Sequence, residues 1–171
     1  EYSLILRADL AGNKLDDIIG VIDIDSLQIQ MTDKAHTIPH IGLNAFLEEG
    51  TRKVYFDSPF LEATIQGKFD YTTVFTSVLK MLKQYIPSLL NVNSPIVPHN
   101  NFTFSAHFQN TQVLTDLFQL PLTIHENSSF SGSIDDETHT MHLQGDFPNF
   151  NYNDYHIKNA ILICNNSPEL F

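Results

Sequence analysis

The 171-residue chain has one cysteine, no tryptophan, and only nine Lys and Arg against twenty Asp and Glu, a formal net charge of −11. A single cysteine excludes an internal disulfide and any multi-cysteine metal site. Cys164 lies in Ala160-Ile-Leu-Ile-Cys164, where it reads as a small hydrophobe. The shortage of cations excludes nucleic acid as a partner, because a phosphate backbone requires clustered positive charge. It argues equally against an electrostatic hold on an anionic membrane. No run approaches the roughly 18 consecutive apolar residues of a membrane span, and no secretory apolar segment is present. Glycine-rich phosphate loops, nucleophile elbows and Cys/His arrangements are absent as well. The chain opens on Glu1 and closes on Ser167-Pro-Glu-Leu-Phe171. It is expected to be a piece of something longer, with any anchor outside it.

Charged residues make up 17% of the chain and hydrophobic ones 42%, a folding composition and not a disordered one. Ser, Thr and Asn number 39 and supply the polarity that charge does not. Period-two alternation dominates. Leu4, Leu6 and Ala8 share a face, as do Leu27 and Ile29, then Ile41, Leu43, Ala45 and Leu47. Val54 and Phe56 follow a Glu48-Glu-Gly50 turn, and Leu61, Ala63, Ile65 and Gly67 come next. The second half places Phe102, Phe104, Ala106 and Phe108 on one face, then Phe130, Gly132 and Ile134, then Met141, Leu143, Gly145 and Phe147. Ala160 to Cys164 is the last clear strand. One greasy and one wet face per strand predicts antiparallel sheet.

One segment has helical spacing instead. Val74, Phe75, Val78, Leu79, Leu82, Tyr85 and Ile86 predict an amphipathic helix over 72–86, with Asp70 or Thr72 at its start and Pro87 at its end. A shorter helical turn is expected over 111–118. Residues 87–101, with three prolines and four asparagines, form the best linker candidate. The expected class is mainly β: an open, curved antiparallel sheet with one amphipathic helix, in a single segment 1–171. A closed β-sandwich is the alternative.

Eight histidines invite a metal reading. His36 and His40 flank Ile38-Pro39, which forbids the helix that would face both one way. His139 and His142 are three apart in alternating sequence and point to opposite faces. Asp135-Asp136-Glu137 reads as a solvated hairpin tip, its contiguous acids being unlike a calcium loop. Asp16-Asp17 and the pair Asp23 and Asp25 show no acid/base differentiation. Pro148 to His156 interleaves aromatics with asparagines, as a sugar-binding surface does, although half-buried strand is the simpler reading. Asn101, Asn127 and Asn165 head glycosylation sequons. No catalytic centre, metal or cofactor is expected.

Arg52-Lys-Val-Tyr-Phe-Asp-Ser-Pro-Phe-Leu-Glu-Ala-Thr-Ile-Gln-Gly-Lys-Phe-Asp-Tyr71, followed by a helix reaching Tyr85-Ile-Pro87, resembles a segment of Bacteroidetes TamB-type proteins, of the AsmA-like group of bacterial envelope proteins. So do Phe130-Ser-Gly-Ser-Ile-Asp135, Leu143-Gln-Gly-Asp-Phe-Pro148 and Ile161-Leu-Ile-Cys-Asn-Asn166, and the opening Leu6-Arg-Ala-Asp-Leu10 with Ile18 to Ile24. The resemblance implies a non-enzymatic part of a periplasm-spanning, inner-membrane-anchored protein. Its strands would curl into an apolar β-taco groove that conducts phospholipid toward the outer membrane or supports a barrel assembly partner there. Leu61, Ile65, Phe102, Phe104, Phe108, Phe130, Ile134, Met141, Leu143 and Phe147 are the expected groove lining. An acyl chain of 16 carbons entering such a groove gains on the order of 0.8 kcal/mol per CH₂, about 12 kcal/mol before ordering costs. The alternative is a β-sandwich binding module for carbohydrate or protein.

Overall fold

The computed structural model describes residues 2–30, 35–83 and 99–166. Five strands open the chain: β1 (Tyr2–Ala11), β2 (Ile19–Gln30), β3 (Ala35–Glu48), β4 (Thr51–Asp57) and β5 (Leu61–Lys68). Helix α1 (Val74–Lys83) follows, then β6 (Asn101–Phe108) and a second helix, α2 (Gln112–Phe118). The chain continues through β7 (Leu122–Ile124), β8 (Ser128–Asp135), β9 (Thr140–Tyr152) and β10 (Tyr155–Asn166). All ten strands belong to one antiparallel sheet of order β1-β2-β3-β4-β5-β6-β8-β9-β10, with β7 paired to the far end of β9 beyond β8. The sheet is open and not closed into a barrel. Among the described residues no second sheet packs on it, which sets the closed sandwich aside.

The strands differ in length for a purpose. β4, β5, β6 and β8 have seven or eight residues, whereas β2, β3, β9 and β10 have twelve to fourteen. The long hairpins β2–β3 and β9–β10 therefore overhang the short middle strands at one end. Helix α2 and β7 lie at that end, since α2 directly follows β6. His36 of β3 approaches Asp116 of α2 to 3.7 Å, tying one overhang to the helix. Helix α1 precedes β6 and so lies at the opposite end of the strands.

Each long hairpin carries the same irregularity. Ser26, opposite Pro39, has φ 55°, and Asn159, opposite Pro148, has φ 54°. Proline withholds a ladder hydrogen bond, and a left-handed residue reverses the alternation of the strand. The apolar phase accordingly slips by one, from Ile22 and Ile24 to Leu27 and Ile29 in β2, and from Leu43 and Ile41 to Ile38 in β3. Ile38 is buried as a result. In β9 the slip brings the rings of Phe147 and Phe150 to 6.1 Å, although three residues separate them.

The helix expected over 72–86 is observed from Val74 to Lys83, behind a turn at 71–73, and residues 84–86 lie outside those described. Of the expected linker, residues 87–98 also lie outside them. Asn100 and Asn101 are no linker: Asn100 is 1% exposed and Asn101 opens β6.

Candidate functional site

The inward face of the sheet is built from cross-strand rows. Ala8, Ile22, Leu43, Phe56, Ala63, Ala106, Phe130, Gly145 and Leu162 are successive partners from β1 to β10. A parallel row runs Leu10, Gly20, Ala45, Val54, Ile65, Phe104, Gly132, Leu143 and Cys164. No position in either row is polar. Each row crosses eight inter-strand steps, about 38 Å at the usual spacing. The glycines accommodate their neighbours: a Cβ on Gly132 would come within about 3 Å of Phe104 and Leu143 side-chain atoms. The Phe104 ring in turn packs at a tilt against Phe130, centroids 5.2 Å apart.

Helix α1 covers one end of this face. Phe69, Phe102, Ile134, Met141 and Leu143 form the buried cluster, and Val74 and Val78 of α1 pack against it. Burial there excludes water, so the polar groups of the helix start must pair among themselves. Asn100 does this. Its Oδ1 accepts from the Asp70 N–H at 2.9 Å, and its Nδ2 donates to Ser77 at 2.7 Å and Thr73 at 3.1 Å. Asp136 Oδ2 accepts from the Asn100 N–H at 2.7 Å and from the Ser77 hydroxyl at 2.8 Å. The acidic hairpin tip is thus only partly a solvated one, since Asp136 turns back to hold α1.

A second clamp joins the β1–β2 connection to the approach to α1. Asp16 accepts from the Thr72 N–H at 3.0 Å and the Thr72 hydroxyl at 2.8 Å. These bonds, with the nearby Arg52 guanidinium, hold its carboxyl below the usual range despite some desolvation. Arg52 donates to the Asp16 and Phe69 carbonyls and lies 4.5 Å from the Tyr71 ring centroid. Tyr71 donates its hydroxyl to the Ile18 carbonyl, and burial pushes its phenol up. The two connections meet over the ends of β3 and β4, across three strand positions of the sheet.

The expected lining residues all fall on the inward face, but in two environments. Phe102, Ile134, Met141 and Leu143 are at most 4% exposed in the cluster associated with α1. They are core, so Leu143→Asp is a core substitution. Leu61, Ile65, Phe104, Phe108, Phe130 and Phe147 are half-buried. With Ile22, Leu43, Phe56, Ala63 and Ala106, also half-buried, they form a floor between the two helical ends. Phe56, which sequence analysis left out of the lining, belongs to this floor, and its ring lies 6.4 Å from that of Phe60, which is buried in the turn between β4 and β5. The alternation around Phe56 was the available signal.

The outward face collects the charge. Arg7, Asp23, Gly42, Asp57, Glu62, His107, Ser129, Asp146 and Ile161 are successive partners. His40 lies over Gly42, 3.5 Å from Asp25 and 3.6 Å from Asp57, and Asp25 also takes Arg7. Asp23 and Asp25 therefore sit in a mixed-charge surface and not in an acid/base pair. His142 contacts Asn165 at 3.0 Å beside a shallow groove of mixed lining and about 460 Å³ on β8–β10. At the tip of β9–β10, Tyr152 and Tyr155 are exposed while Asn151 contacts His125 and His156. No cluster of three metal-ligating side chains occurs among the described residues, nor is any described helix long and apolar enough to cross a membrane. The chain matches no family model, no curated protein and no solved structure in the comparisons made with each.

Proposed function

We propose that the chain is a non-enzymatic, lipid-handling segment of a TamB/AsmA-like envelope protein, working in the periplasm, and that its inward face holds phospholipid acyl chains on their way to the outer membrane. The observation that carries this reading is the continuous apolar floor centred on Phe56, Ala63, Ala106 and Phe130, half-buried and, among the described residues, without a second sheet packed on it. A soluble domain normally buries such a face against a partner layer. Here each buried CH₂ of an acyl chain would recover on the order of 0.8 kcal/mol. The acidic outward face would stay in water and repel anionic headgroups from the wrong side of the sheet. An outer-membrane barrel assembly protein is the expected second partner.

The test is photo-cross-linking in the native host. Benzoylphenylalanine at Phe56, on the floor, should capture phospholipid, and the same probe at His107, on the outward face, should not. Equal capture at both positions, or none at Phe56 in folded protein, overturns the reading.

A further inference from the structure

We infer that α2 and β7 form a pH-sensitive shutter in one wall of the sheet, carried on β9 and drawn shut against β3 by His36 and Asp116. What passes the shutter rests on the lipid reading; its opening does not. The shutter fills a gap inside the sheet. β3 runs from Ala35 to Ile41 past its last pair with β4, and β9 from Phe147 to Tyr152 past its last pair with β8. The short strands between them, β4, β5, β6 and β8, leave this end open over five inter-strand steps, about 24 Å along the sheet. Helix α2 and β7 occupy the gap as one piece. The Thr111 N–H donates to the Ile124 carbonyl at 3.0 Å and the Ile124 N–H to the Thr111 hydroxyl at 2.8 Å. The Thr115 hydroxyl donates to the Leu122 carbonyl at 2.7 Å.

The two sides of this piece are held differently. Toward β9 the hold is backbone: β7 pairs with Phe150 to Tyr152, the Asn153 N–H donates to the Pro121 carbonyl at 2.7 Å, and the His125 N–H to the Asn149 carbonyl at 3.2 Å. Toward β3 it is made by side chains. Among the described residues no strand pairs with Ala35 to Ile41 on that side, and His36 Nε2 stands 3.7 Å from Asp116 Oδ2. That is ion-pair distance but not a hydrogen bond. The contact is sheltered, with side chains 15% and 18% exposed, and His36 Nε2 is buried without a hydrogen-bond partner. Such a nitrogen is satisfied by gaining a proton and closing on the carboxylate. Histidine is the side chain that ordinarily changes charge between about pH 5 and 8. Asp116 is the one titratable residue of α2, β7 has none, and Ser3, Gln28, Ile29 and Gln30 of β1 and β2, beside His36, carry no charge. The pair therefore tightens in acid and is lost as pH rises. His36 shares the inward face with Ile38, so the shutter opens onto the apolar side of the sheet.

Hydrogen exchange of the 171-residue chain tests this without any lipid. After correction for intrinsic exchange rates, the amides of 114–124 should exchange about fivefold more slowly at about pH 5.5 than at about pH 8. His36→Gln and Asp116→Asn should each abolish that difference, while β5 and β6 exchange alike at both pH values. Equal exchange of 114–124 at both pH values in the wild-type chain, which needs no substitution to fold, would overturn the shutter. So would a difference that survives either substitution, or one of the same size in β5 and β6. The expected exchange with no phospholipid captured at Phe56 would uphold the shutter and overturn the lipid reading.

Discussion

Asp16 shows how much one side chain can do at a distance along the chain. It sits in the connection between β1 and β2, yet its carboxylate caps the turn that starts α1, 56 residues later. A carboxylate beside unpaired helix-start N–H groups is stabilising both as a hydrogen-bond acceptor and toward the helix dipole. Because the folded chain holds this carboxyl below the usual aspartate range, its contribution is complete above the unfolded value and is lost as pH falls through the lowered folded value. Asp16→Asn should therefore cost stability at neutral pH, at most about 1 kcal/mol after solvent screening. It should also flatten the acid limb of stability against pH. Urea denaturation at neutral and acidic pH measures both, and an unchanged acid limb would deny Asp16 this role.

At the scale of elements, α1 is located by polar contacts and not by strand pairing. Val74 and Val78 supply apolar contact, but Asn100, Ser77, Thr73 and Asp136 fix where the helix sits. Removing the Asn100 side chain leaves the Asp70 N–H and two hydroxyls in a dry site without their partner. Asn100→Ala should destabilise the chain by about 3 kcal/mol in equilibrium unfolding. Loss of under about 1 kcal/mol would mean that water replaces the amide. The long hairpins illustrate the opposite economy. Ser26 opposite Pro39 and Asn159 opposite Pro148 break the strand rhythm, and in doing so they keep Ile38 on the side of Ile41 and Phe150 on the side of Phe147.

For the whole molecule, the decisive feature is the division of the inward face into a covered end and an open floor. Phe56 and Leu143 lie on the same face, in neighbouring rows, and look equivalent in the alternation of their strands. Leu143 is 4% exposed in the cluster that α1 packs against, whereas Phe56 is half-buried on the floor. A buried unpaired carboxylate costs several kcal/mol, a partly solvated one much less. Leu143→Asp should abolish cooperative folding, and Phe56→Asp should fold with a loss of about 2 kcal/mol. Thermal denaturation followed by circular dichroism distinguishes the two, and equal losses would mean that the floor is as closed as the core.

The division between what sequence settles and what tertiary structure settles follows from the range of the interactions. Alternation is local: the side chains of Ile65, Phe104 and Leu143 choose a face within their own strands, so the antiparallel class, most strands and the apolar character of the inward face were legible. Helix α1 was legible from its 3.6-residue period. Three things were not. The phase slips at Ser26 and Asn159 depend on a proline across the ladder, outside any local window. The placement of Asn100 and Asp136 depends on partners 23 to 59 residues away, so a polar stretch that reads as linker and an acidic tip that reads as solvated turned out to hold the helix. The split of the expected lining into core and floor depends on where α1 lands, which is decided by those same long-range hydrogen bonds. Sequence by itself determined which residues share a face within each unbroken run of a strand, because that is a property of the backbone's two-residue repeat. Only the tertiary structure decided which of them are covered, because cover comes from a different part of the chain.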